Sequence, residues 1–92
     1  MWQITRSTTF NKAIKRLHTN QKKELDDAIV EIMKNASIGE SKKGDLRGVQ
    51  VHKFKMNKQL TLLAYIQRSS VEIYLIAFGS HENFYRDLKK IQ

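Results

Sequence analysis

The 92-residue chain has no cysteine, no proline, only four glycines and no long hydrophobic run. Without cysteine, disulfides and thiolate metal sites are excluded, and a reducing compartment fits. Without proline, few rigid stops separate the elements. The longest apolar stretch, Val71 to Phe78, contains Glu72 and is far too short to span a bilayer. No long apolar run follows Met1-Trp2-Gln3-Ile4-Thr5, so no signal peptide is expected and the protein reads as soluble and cytoplasmic, with no membrane partner. A chain of this length has room for one core and is expected to form a single domain over residues 1–92.

Charge is what the chain has in excess. Its 17 Lys and Arg against 9 Asp and Glu give a net charge of +8, unevenly placed. Residues 1–23 carry Arg6, Lys12, Lys15, Arg16, Lys22 and Lys23 with no acid, whereas residues 24–41 carry Glu24, Asp26, Asp27, Glu31 and Glu40 against Lys34. Residues 42–58 return to basic, with Lys42, Lys43, Arg47, Lys53, Lys55 and Lys58 against Asp45. Such a positive field favours a polyanion, or an acidic protein covering the same surface.

Trp2-Gln3-Ile4-Thr5 alternates as a half-buried strand should. Ser7-Thr8-Thr9 offers a helix cap, and Phe10, Ala13, Ile14 and Leu17 then recur at helical spacing. A second helix restarts at Thr19-Asn20 with the stripe Leu25, Ala28, Ile29, Ile32 and Met33, giving a helical hairpin. Residues 39–48 are expected as a loop broken by Gly39, Gly44 and Gly48. Three strands follow, at about 49–56, 60–68 and 71–78, joined by separators short enough for antiparallel hairpins. The strand from Leu60 is apolar on both faces and suits the centre of a sheet, with the helices on one side and a groove on the other.

The strand from Val49 changes phase, because Val49 and Val51 have one parity and Phe54 and Met56 the other. Two arrangements fit. One is a β-bulge at His52-Lys53 that re-aims the side chains. The other is a regular strand covered on both faces, with lysine stems lying over apolar surface. The whole chain reads β-α-α-β-β-β with a short C-terminal helix or turn, an α+β fold of two N-terminal helices on a small antiparallel sheet.

The histidines are too scattered for metal-ligand spacing, no glycine-rich phosphate loop is present, and no metal or cofactor is expected. What remains is a basic and aromatic set: His52, Lys53 and Lys55 on one strand, then His81, Tyr85, Arg86 and Lys89 near the C-terminus. Metal-free RNA cleavage needs a base for the 2′-OH proton, an acid for the leaving 5′ oxygen and a cation for the phosphate. Histidine suits the proton transfers because it titrates near neutrality. By itself the His81/Tyr85 spacing says little, since residues four apart on a helix also pair for packing alone. Plainer roles fit other residues: His18 as a surface or capping residue, Trp2 and Phe84 in packing, and Tyr65 and Tyr74 as strand aromatics.

Gly44-Asp45-Leu46-Arg47-Gly48, Val51-His52-Lys53-Phe54-Lys55, Leu62-Leu63-Ala64-Tyr65 and the ending from His81 to Lys89 resemble the RelE/ParE superfamily, the toxins of bacterial type II toxin–antitoxin pairs. The resemblance covers almost the whole chain and implies a RelE-like fold. It also implies one of two activities: metal-independent mRNA cleavage in the ribosomal decoding site, or poisoning of DNA gyrase by a ParE-like member. A non-toxic, antitoxin-binding member is a third possibility. Gly79-Ser80-His81, with an aromatic residue four positions on, is similar to the YafQ-type ribosome-dependent nucleases, which favours the first activity.

That similarity makes His81 the leading acid–base residue, with Tyr85 assisting and His52 at the position of a strand histidine in such enzymes. Lys53, Lys55 and Arg86 are then the phosphate ligands, with Arg47 and Lys89 as further RNA contacts. The expected partners are a cognate antitoxin, the ribosome and mRNA, and the oligomeric state is expected to follow from the antitoxin complex. The chain departs from the family pattern in two places. It shows no counterpart of a further catalytic histidine and acid where Thr61, Leu63 and Tyr65 stand, and no clear arginine in the last strand.

Overall fold

The computed structural model describes residues 3–41 and 48–80. Strand β1 (Gln3–Arg6) leads to Ser7, whose hydroxyl accepts the Phe10 N–H at 3.0 Å and caps helix α1 (Thr8–Ile14). Helix α2 (Thr19–Lys34) has His18 at its N-cap, where the His18 N–H donates to Gln21 Oε1 at 2.9 Å. His18 is therefore a capping residue. Asn35 ends α2 and starts a 3₁₀ turn (Ala36–Ile38) by accepting the Ser37 N–H at 3.1 Å. The short strand β2 (Glu40–Ser41), which the glycine-punctuated sequence did not reveal, follows it. Strands β3 (Gln50–Met56), β4 (Gln59–Ser69) and β5 (Glu72–Ser80) complete the described fold. The expected C-terminal helix or turn lies outside the described residues.

The sheet has the order β1-β5-β4-β3-β2. The pairs β2–β3, β3–β4 and β4–β5 are antiparallel, but β1 pairs with β5 in parallel, from Gln3 opposite Glu72 to Arg6 opposite Leu75. Parallel neighbours need a crossover, and here almost the whole domain lies between the two strands. Strand β4 is central, as its two apolar faces predict, and Thr61 to Tyr65 are all buried. β3 and β4 are joined by Asn57 and Lys58 with φ of 53° and 68°. Positive φ at both central residues is the geometry of a tight two-residue hairpin loop whose twist matches that of the strands.

Helix α1 packs on β5 and α2 on β3, both on one face of the sheet. The core between them holds Phe10, Leu25, Ala28, Ile32, Met56, Leu63, Tyr65, Ile73 and Leu75. The Phe10 and Phe78 rings meet edge to face with centroids 5.2 Å apart, a favoured aromatic geometry. Val49, Val51, Leu62, Ala64, Ile76 and Ala77 form a second buried cluster on the opposite face. Tyr65 ties the end of the helical hairpin to the sheet, donating its hydroxyl to the Ala36 carbonyl at 2.6 Å and accepting the Gly39 N–H at 3.0 Å. Gly39 permits this approach, since a Cβ there would stand 2.5 Å from the Tyr65 oxygen. Burial pushes the Tyr65 phenol up from its ordinary range, opposed by the Gly39 hydrogen bond.

The phase change in β3 is not a bulge. Every pair from Gln50–Tyr65 to Met56–Gln59 keeps one register, so the strand is regular and two-faced. The register breaks lie in the β4–β5 pair: one leaves Arg68 of β4 unmatched between Gln67–Ile73 and Ser69–Glu72, and the other falls in β5. Ala77 stands opposite Ala64 and Leu75 opposite Tyr65, which leaves Ile76 between them without a counterpart. Ile73 and Leu75 face the helices, Ile76 and Ala77 both join the other cluster, and Phe78 returns to the helix side. Two consecutive residues on one face are the signature of a β-bulge.

Candidate functional site

Alternation along a regular β3 sends His52, Phe54 and Met56 toward the helices and Val51, Lys53 and Lys55 to the other face. On that other face, Lys53 stands opposite Leu62 on β4, and Leu62 stands opposite Gly79 on β5, making one row across the sheet. Lys55 stands opposite Leu60 in the row beside it. Both lysines and Leu60 are exposed, while Leu62 is buried. Among the described residues nothing lies within 4 Å of where a Gly79 Cβ would be, so the row ends in bare backbone. Two lysines whose Cα atoms lie about 7 Å apart along the strand, an apolar floor and a backbone notch can hold a phosphate-bearing chain by its charge and its flat groups.

Among the described residues neither lysine enters an ion pair. Arg68 contrasts with them, pairing with Glu72 at 3.5 Å and lying 4.3 Å from the centre of the Tyr74 ring. Its charge is compensated by the Glu72 carboxylate, whereas Lys53 has none beside it among the described residues and Lys55 shares only a cleft with Glu24, Asp27 and Glu31.

The helix side of β3 is chemically different. A cleft of about 290 Å³ opens between α2 and β3, lined by Glu24, Asp27, Ala28 and Glu31 from the helix and His52, Phe54 and Lys55 from the strand. The His52 ring stacks on Phe54 with centroids 6.1 Å apart and planes 11° from parallel. Burial pushes the His52 pKa below its ordinary value, and the nearby Glu31 carboxylate opposes that shift. Glu24 closes one end of the cleft by accepting the Asn57 N–H from the β3–β4 turn at 3.0 Å. Three carboxylates make this cleft repellent to a polyanion.

The structure thus places Lys53 and Lys55 on one face of β3 and His52 on the other, although Lys55 also lines the cleft that holds His52. His81, Tyr85, Arg86, Lys89 and Arg47 lie outside the described residues. The sequence reading missed Gly79 as an open notch and Gly39 as a contact point for Tyr65. Glycine count alone gives no sign of either role, which depends on cross-strand register.

A family model described as the ParE-like toxin of type II bacterial toxin–antitoxin systems matches residues 4–89. The chain belongs to that family. Solved structures of the E. coli RelE toxin share its fold. A doubly substituted RelE in the free state superposes with a TM-score of 0.71 at 18% identity, covering 97% of this chain and 95% of RelE. RelE in the intact E. coli RelBE toxin–antitoxin complex gives 0.68 at 18% identity, over 89% of this chain and 99% of that one. Isolated RelE gives 0.65 at 18% identity, with both chains covered completely. No curated protein sequence matches the toxin significantly. Among the described residues, no helix is long and apolar enough to cross a membrane.

Proposed function

We propose that this toxin is a cytoplasmic, ribosome-dependent mRNA endonuclease. The observation that carries the reading is the pair Lys53 and Lys55 on one face of the sheet, neither ion-paired among the described residues, in rows that lead to Gly79-Ser80, directly before the segment that holds His81, Tyr85 and Arg86. RNA lies along this face, with Lys53, Lys55 and Arg86 on its phosphates and Arg47 and Lys89 as outer contacts. His81 is the leading acid–base group and Tyr85 assists it. The 2′-oxygen attacks the adjacent phosphorus as its proton passes to the base. The phosphorus–5′-oxygen bond breaks, and the departing oxygen takes a proton from the acid. The reaction leaves a 2′,3′-cyclic phosphate and a 5′-hydroxyl. DNA lacks the attacking hydroxyl and is not cut. His52, on the opposite face, reaches this chemistry only if RNA enters the α2–β3 cleft, and the carboxylates there oppose that.

The RelBE complex supports an antitoxin partner for this chain as well. An antitoxin helix, strand or both over the lysine row would set acids among the ammonium groups and block RNA, and that complex sets the oligomeric state. A second reading has its own observation: the matching family model is ParE-like, and ParE-like members poison DNA gyrase.

Inducing the chain and following translated mRNA by primer extension separates these readings. Cuts within codons, dependent on ribosomes, are the expected result. Intact mRNA with a DNA-damage response would replace the nuclease by the gyrase poison. Normal growth with neither would mark a non-toxic, antitoxin-binding member.

A further inference from the structure

Ser7 commits all of its polar atoms. Its N–H donates to the Leu75 carbonyl at 3.0 Å, where the β1–β5 ladder ends, and its own carbonyl accepts the Asn11 N–H at 3.0 Å. Its hydroxyl accepts the Phe10 N–H and donates to the carbonyl of Ile76, the bulge residue of β5. Ser7 is only 8% exposed, so water cannot readily replace these bonds. A helix cap requires the bond from Phe10 alone. The bond to Ile76 reaches sixty-nine residues along the chain and fastens the cap to the register break.

That break decides what the end of β5 presents. Strict alternation from Ile73 and Leu75 would turn Gly79 toward the helices and Phe78 onto the lysine face. The extra residue at Ile76 reverses both: Phe78 packs on Phe10, and Gly79 joins the row of Leu62 and Lys53. We infer that Ser7 is a positioning residue for the RNA site. By holding the Ile76 carbonyl it fixes the bulge, and through the bulge the phase of β5 as it enters the segment containing His81. The activity part of this inference rests on the nuclease reading.

The experiment uses Ser7→Gly and Ser7→Thr in the full chain. Glycine is a tolerated N-cap but has no hydroxyl, whereas threonine keeps both donor and acceptor. Ala28→Gly is the control, since it loosens α2, whose main contact with the sheet is β3. Amide hydrogen exchange is followed at residues 77–80, together with ribosome-dependent mRNA cleavage. In Ser7→Gly, exchange at 77–80 is expected to rise about tenfold or more, as a local opening would produce. Cleavage turnover should fall about tenfold at an unchanged half-saturating ribosome concentration, because misplacement costs rate more than binding. Ser7→Thr should restore both and Ala28→Gly should change neither.

Unchanged exchange at 77–80 in Ser7→Gly would reduce Ser7 to a helix cap. Faster exchange with full turnover would equally overturn the positioning role. If Ser7→Gly does not fold, failure of Ser7→Thr to restore wild-type exchange and turnover overturns the inference. If the unsubstituted chain cuts no mRNA, the nuclease reading fails, while exchange still decides whether Ser7 holds the bulge.

Discussion

From β3, His52, Phe54 and Met56 point toward the helices, and Val51, Lys53 and Lys55 point from the same strand to the other side of the sheet. The first face meets the acidic side of α2, with Glu24, Asp27 and Glu31 around a cleft. The second presents Lys53 and Lys55, neither ion-paired among the described residues, beside Leu60, Leu62 and Gly79, with Lys55 also bordering the cleft. One strand thus separates a carboxylate-lined surface from a cationic one by no more than its two-residue period. This separation teaches that His52 and Lys53, adjacent in sequence, need not serve one site. A one-residue slip would exchange their surroundings, so the tight β3–β4 turn and the unbroken register maintain the division.

The largest test of that contrast is a pair of variants. Replacing Lys53 and Lys55 together by alanine should lower mRNA cleavage by about 100-fold or more, as when cationic or hydrogen-bonding support of a transition state is removed. Both side chains are exposed, so thermal unfolding should barely move. His52→Ala should leave cleavage within about a factor of three. A collapse of activity in His52→Ala with an intact fold would move the RNA to the helix-side cleft and reverse the assignment of the two faces.

The next effect is on stability and belongs to the helix side. Tyr65→Phe removes a fully buried hydroxyl and leaves the Ala36 carbonyl and the Gly39 N–H without it. The expected cost is about 1–3 kcal/mol in denaturant unfolding. Gly39→Ala should also destabilise, because its Cβ would meet the ring and oxygen of Tyr65. A neutral Tyr65→Phe would show that the helix-side connection is held by packing alone.

How far these features can be read from the residues depends on the range of the interaction that fixes them. Phe10, Leu25, Ala28 and Ile32 show helical periodicity, and the central place of β4 follows from its two apolar faces, because each pattern is local. Ser7 and His18 are legible as caps for the same reason. The parallel β1–β5 pair is not, since strand order depends on contacts across most of the chain. Neither is the bulge: the visible parity break in β3 comes from covering both faces, while the real register shift in β5 hides in the uniformly apolar Leu75-Ile76-Ala77-Phe78. For the candidate site, Lys53 and Lys55 were legible as a pair, but their separation from His52 needed the register. Gly79 carries no side-chain signal at all.

A smaller effect tests the turn that maintains the register. Lys58 holds φ at 68°, a conformation that costs a residue with a Cβ roughly 1–2 kcal/mol and glycine little. Lys58→Gly should therefore stabilise the fold, by about 0.5–1 kcal/mol after the added freedom of the unfolded chain is subtracted. Cleavage should be unchanged, because both faces keep their residues. Lost activity in the stabilised variant would mean that Lys58 itself belongs to the RNA surface and that the cationic face extends around the hairpin.

The smallest expected effect distinguishes the faces by pH. His52 is held below its ordinary pKa of 6.5 because burial disfavours its charged form, with Glu31 limiting the shift. The unfolded chain then binds the proton more readily than the folded one, so stability is fully present above about pH 6.5 and declines as pH falls through the lower folded value. Asp27 and Glu24 also face the cleft. Unfolding midpoints between pH 7 and 5 should decline for the native chain and flatten for His52→Gln, which cannot titrate. Lys53→Ala should keep the native slope, because Lys53 lies on the opposite face of the sheet and does not line the His52 cleft. If Lys53→Ala flattens the slope as much as His52→Gln does, the two faces are electrostatically coupled and the sheet does not insulate one from the other.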